Sequence, residues 1–330
     1  MHVLAGTSKG VYVLDGGHAR QVLESRGVRD LVRVRGRVFA GTGAGLYVSD
    51  DEGESWSLAG FPELEIWQIR SHPDGKLYVS TQPAHLFVSD DQGLTWSEVE
   101  PFAQAPEAAA WCVPVKPPLP GRARALVVDQ SNADRLWVGV EVGGIMRSDD
   151  GGQSWALDLP GENPDLHMMC ARPDNPEVLF ASTGYGRLDG VAEMVEGNAG
   201  VFRSEDGGQS WVYAWKGITP RYSRPMCIDE RAPYALTVAS APTAFSSFKD
   251  EGGAQAMLFR SEDGGESWRS LCDEAHSPCT ANLHGLTPDP ERLGGVLVGT
   301  DTGEVWRVSD GAQWSAMGEG MPPVLSIAAY

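Results

Sequence analysis

The chain has 330 residues, and 26 lysines and arginines against 45 aspartates and glutamates give a formal net charge of −19. A chain this acidic repels phosphate backbones and anionic lipid, which excludes nucleic acid and membrane surfaces as partners. Hydrophobic content of 42% with 22% charged residues is that of a globular chain, and 40 glycines with 22 prolines require many turns.

The N-terminal segments HVLAGT, GVYVLD and ARQVLE read as three strands of a first unit closed by the turn LDGG. No basic flank, apolar stretch and cleavage site precede them, and no window reaches the length of a membrane span. Five cysteines, an odd number without a C-x-x-C pair, fit a reducing compartment, so the chain is expected to be cytoplasmic with free thiols. Cys272 and Cys279 bracket a short loop where a local disulfide or a metal contact is the alternative.

Further along, one octapeptide recurs: SDDEGESW from Ser49, SDDQGLTW from Ser89, SDDGGQSW from Ser148, SEDGGQSW from Ser204 and SEDGGESW from Ser261, with a worn SDGAQW from Ser309. Each copy follows two alternating apolar segments such as RVFAGT and GLYVSDD, the period of half-buried strands. Within the turn, Asp51, Asp91, Asp150, Asp206 and Asp263 are placed to accept backbone N–H bonds, and the glycine takes a conformation closed to other residues. The following Trp packs over the hairpin. A calcium site in these turns is disfavoured, because oxygen ligands at alternating positions and a closing Glu are missing.

These octapeptides resemble the Asp-box, or BNR, repeat of sialidases, sortilin-type receptors and photosystem II assembly factors, and the resemblance covers nearly the whole chain. It implies an all-β fold, a β-propeller of four-stranded blades with the boxes at the outer turns. Six blades are expected near 28–60, 66–100, 123–158, 166–215, 223–271 and 281–316. A seventh is expected from residues 1–27 plus 322–330, with Val324 to Ala329 inserted beside Val3 to Gly6 to close a single seven-bladed propeller over residues 1–330.

Three insertions, Glu100 to Gly121, Gly184 to Ala199 and Ala241 to Ala256, all belong to the face opposite the boxes, and a pocket is expected there. Aligning the first strands on their closing turns puts Trp67, Arg124, His167, Arg224 and Asn282 at one position nearest the axis, with Asp30 and His284 two residues further along. The insertions add Trp111, Tyr185, Arg187, Glu193, Glu196, Arg221 and Tyr222, and a strand end adds Glu141. Such groups also hydrogen-bond one another around a water-filled channel without any ligand.

Arg124 and Arg224, with Arg187, present the planar fork that suits a carboxylate or phosphate, with Trp67, Trp111, Tyr185, Asn282 and His284 as further ligand contacts. The sialidase resemblance implies Tyr222 or Tyr185 as nucleophile activated by Glu141, and Asp30 as acid or base, with His167 a further catalytic candidate. The early Arg-Ile-Pro signature of true sialidases has no counterpart. No cofactor is implied; a divalent metal on His167, His284 and Glu141 is the minority reading. The leading expectation is a hydrolase-like, glycosidase-type protein acting on or binding a small anionic or sugar-like compound. A non-catalytic scaffold for a protein partner and a metal-dependent enzyme are the alternatives.

Overall fold

The computed structural model describes residues 1–185 and 199–330. Among these residues are seven four-stranded antiparallel sheets, and the fold is a seven-bladed β-propeller. The innermost strands, in blade order, are Val324–Ala329, Asp30–Val34, Glu65–Ser71, Arg122–Val128, Leu166–Arg172, Tyr222–Ile228 and Leu283–Pro288. Val324–Ala329 pairs antiparallel with Val3–Thr7, so the C-terminal strand completes the N-terminal blade as expected.

The chain forms two compact units. Residues 1–62 with 215–330 hold blades one, two, six and seven; residues 63–214 hold blades three, four and five. Within the first unit, the innermost strand of blade seven touches those of blades six and one, and blade one touches blade two. Within the second, the innermost strand of blade four touches those of blades three and five. Their apolar faces make the cores, for example Val128, Leu136, Val138 and Val140 in blade four.

The box turns are built as their composition dictates. Ser49 donates to the Asp51 carboxylate at 2.7 Å and accepts the Gly53 N–H at 2.8 Å. Asp51 accepts the Ser55 N–H at 2.8 Å and its hydroxyl at 2.6 Å, and the Trp56 indole N–H donates to the Gly53 carbonyl at 2.9 Å. Gly53 stands at φ 94°, where a side chain would strain the backbone. The Ser55 hydroxyl, then its N–H, hold the Asp51 carboxyl down to about 2, and Asp91, Asp150 and Asp206 are lowered likewise by their own Ser or Thr. With both oxygens engaged inside the turn, these carboxylates serve the fold. In the worn copy, Asp310 instead accepts from Arg260 at 2.9 Å and from Arg269.

Insertion 100–121 contributes a short helix, Glu100–Ala103, a 3-10 turn, Pro106–Ala110, and the two-stranded ribbon Cys112–Val113 with Leu119–Pro120. Backbone bonds between Cys112 and Val142 dock it on blade four. All five cysteines are free thiols; burial pushes Cys279 up to about 12. Among the described residues, no helix is long and apolar enough to cross a membrane.

Candidate functional site

Six of the seven innermost strands carry a one-residue bulge close to their N-terminal end, and blade two alone pairs without a shift. The extra residue is Trp67 in blade three, Arg124 in blade four and His167 in blade five. In blade six the shift spans Arg224 and Pro225, in blade seven it falls on His284, and in blade one on Leu325. A bulged residue leaves the ladder and its side chain is re-aimed, so large polar groups are accepted where regular pairing would send them into the sheet packing. The position that matches Trp67, Arg124, His167 and Arg224 in blade seven is therefore His284, whereas Asn282 lies two residues before it.

In the unit of residues 63–214 these positions converge. The Arg122 and Arg124 guanidinium groups lie 4.8 and 5.6 Å from the Trp67 ring centroid, a cation–π arrangement. Both reach Glu141: Arg124 forms a short ion pair with Oε2, and Arg122 Nε lies 3.4 Å from the same oxygen. Beneath them His167 Nε2 lies 3.2 Å from Asp165 Oδ1, with the His167 side chain fully buried. Asn163 positions Asp165 by accepting its N–H at 2.9 Å, and its own amide donates to the Gly184 carbonyl at 2.7 Å. Burial raises the Glu141 carboxyl, but Arg124, then Arg122 and His167, more than offset it, so Glu141 stays an anion below the usual range.

The ligand atoms of Glu141, Asp165 and His167 lie within 4.8 Å of one another, a spacing that a divalent ion fits. The charges do not fit. Two guanidinium groups already neutralise Glu141, and an ion at that oxygen would sit against both of them. The group that reaches solvent is the arginine pair, each side chain 18–19% exposed against 10% for Glu141.

In the unit of residues 1–62 and 215–330, Arg224 lies over the Tyr222 ring at 5.0 Å and Arg221 over Trp215 at 4.5 Å. Arg224 also donates to the Ala244 carbonyl, and the Asn282 side-chain amide donates to the Ser246 carbonyl at 2.9 Å, so both hold insertion 241–256. Burial pushes the Asp301 carboxyl up, against the N–H bond it accepts from Asn282 at 2.8 Å. Asp30 starts its strand and accepts the Leu31 N–H at 3.1 Å; Tyr222 is buried and His284 partly buried.

Trp111 is a core residue. Its ring packs 5.0 Å from Phe102, in the cluster with Ala123 and Val140, which is where an indole from a docked insertion finds apolar surface. Tyr185 is half-buried just past a strand end. Arg187, Glu193 and Glu196 lie outside the described residues. Sequence reasoning passed over Arg122, Asp165 and Asp301. The signals were present in Arg-Ala-Arg and Asp-Leu-His, where a two-residue step returns to the same face, and in Asp301, which follows its strand where Glu141 ends its own.

Box turns, four-stranded blades and closing strand together make the chain an Asp-box β-propeller. The BNR/Asp-box repeat model matches residues 47–58 and 87–98. No curated protein matches the chain. Among solved structures, the GH74 enzyme of Niastella koreensis is similar at 16% identity, TM-score 0.64, over 95% of this chain and 46% of its own. The GH74 xyloglucanase of Xanthomonas campestris gives 16% identity, TM-score 0.62, over 96% and 47%. YCF48 bound to D1 peptide gives 16% identity, TM-score 0.54, over 95% of this chain and 84% of that one. This chain thus spans about half the length of the GH74 chains.

Proposed function

We propose that this propeller binds a small anionic compound, through a carboxylate or a similarly planar anion received by Arg122 and Arg124 over the Trp67 ring. The observation that carries the reading is the pairing of both guanidinium groups with one internal carboxylate, Glu141, at the solvent-reaching edge of the cluster. Two arginines aligned on an aromatic face offer a fork that matches a carboxylate, and a ligand's carboxylate takes the place Glu141 now fills. His167 and Asp165 act beneath them as positioning residues, since a fully buried imidazole does not meet a ligand directly. The free thiols support a reducing, cytoplasmic setting.

Isothermal calorimetry with acetate, lactate and glucuronate, against neutral glucose, tests this reading. Wild-type protein is expected to bind at least one acid and not the neutral sugar, and Arg122→Ala with Arg124→Ala to lose that binding. Equal binding of acids by wild type and the double variant would overturn it.

Glycoside hydrolysis is the second reading, favoured by the likeness to GH74 enzymes and by two carboxylates, Glu141 and Asp165, whose oxygens lie within 4.8 Å. That places the two carboxylates no farther apart than the roughly 5–5.5 Å of retaining glycosidases. Glu141 could then act as the anionic partner only, because its two arginines keep it ionised. Turnover of xyloglucan or aryl glycosides that disappears in Asp165→Asn would support this reading, and no turnover would remove it.

A further inference from the structure

The connection from Leu236–Ala241 to Met257–Ser261 presents two phenylalanines to water, Phe245 at 80% and Phe248 at 41% exposure. Its backbone is fastened along its length. Arg224 donates to the Ala244 carbonyl and Asn282 to the Ser246 carbonyl at 2.9 Å. Local turns add to this: Thr243 accepts the Phe245 N–H at 3.2 Å, and Asp250 accepts the Ser247 N–H at 2.7 Å. Backbone bonds from Ala254 to Thr280 and between Ala256 and Cys279 tie down the far end. A loop held this firmly could have turned its rings inward, yet it holds them out.

We infer that Phe245 and Phe248 anchor a second protein, through an apolar segment flanked by lysine or arginine. Rigid aromatic side chains on a preorganised backbone lose little freedom on binding and are the usual anchors of interfaces. Charge selects the occupant. The chain carries −19, and beside the rings Asp250 and Glu251 are exposed while Lys249 lies 5.6 Å from the Phe248 centroid. A second copy of this chain is repelled, and a basic partner is drawn in. The surface shares no residue with the Arg122 and Arg124 cluster, so it stands or falls separately from the anion reading.

The test uses fluorescein-labelled synthetic peptides of leucine and lysine, of leucine and glutamate, and of serine and lysine, with binding to the full chain read by anisotropy. The leucine–lysine peptide is expected to bind at least tenfold more tightly than the other two, and Phe245→Ala with Phe248→Ala to weaken it at least tenfold. Both rings are exposed, so the variant keeps its fold, which an unchanged melting temperature checks. Unchanged binding by the variant, no binding at all, or self-association of wild type in sedimentation that the variant abolishes would each overturn the inference.

Discussion

The Glu141 carboxylate is ion-paired with Arg124, seventeen residues earlier on the neighbouring strand of the same blade. Arg124 is the bulged residue between Ala123 and Ala125, one strand across from Glu141. An arginine pair held by an internal acid is poised for exchange: any anion that binds must outcompete Glu141, and Glu141 keeps the arginines ordered until it does.

Trp111 separates a structural role from a ligand role. Its ring is buried against Phe102, and Gly121 and Gly143 leave room for it, a Cβ at either coming within 2.7 Å of Trp111 atoms. Trp111→Ala is expected to cost about 3–5 kcal/mol in stability, read by denaturant unfolding, with acid binding unchanged per folded molecule. A stable variant that has lost binding would return Trp111 to the site.

Removing Pro323–Tyr330 deletes the innermost strand of blade one. Val324 and Ile327 are buried there, each worth about 1.5–3 kcal/mol of apolar burial, and the ladder to Val3–Thr7 goes with them. Thermal unfolding of the truncated protein is expected to broaden and shift to lower temperature. A transition matching the full chain would refute closure by this strand.

Acid stability follows from the box turns. Asp51, Asp91, Asp150 and Asp206 titrate at about 2 in the folded chain against an ordinary 3.8. A carboxyl lowered by folding contributes stability that is complete above its unfolded value and is lost as pH falls through its folded value. Stability is therefore expected to decline between about pH 4 and pH 2, with Asp150→Asn less steep than wild type over that window. Parallel curves would show that these turns do not govern acid unfolding.

Much of the fold was legible because the box is local chemistry. Ser49, Asp51, Gly53, Ser55 and Trp56 satisfy one another within eight residues, so their pattern survives in the chain and marks six of the seven blades. The closing strand was legible because an unmatched strand was left at each end. Trp67, Arg124 and His167 could be aligned because their bulges sit at the same register, while in blade seven the closing turn was two residues out of phase with the ladder, and His284 holds the position assigned to Asn282. Arg224 and Asn282 fasten a loop, and Trp111 is core, because long insertions fold by contacts distant in sequence.

Glu141→Gln tests the central claim most directly. The amide can still accept from Arg124 but no longer neutralises the two guanidinium groups, which costs less than the about 3–5 kcal/mol of a fully buried pair because these side chains are partly exposed. With the internal competitor weakened, calorimetry should show the acid that wild type binds bound at least tenfold more tightly, a gain of about 1.4 kcal/mol. Weaker or unchanged binding in Glu141→Gln would contradict the claim that Arg122 and Arg124 receive an anion in place of Glu141.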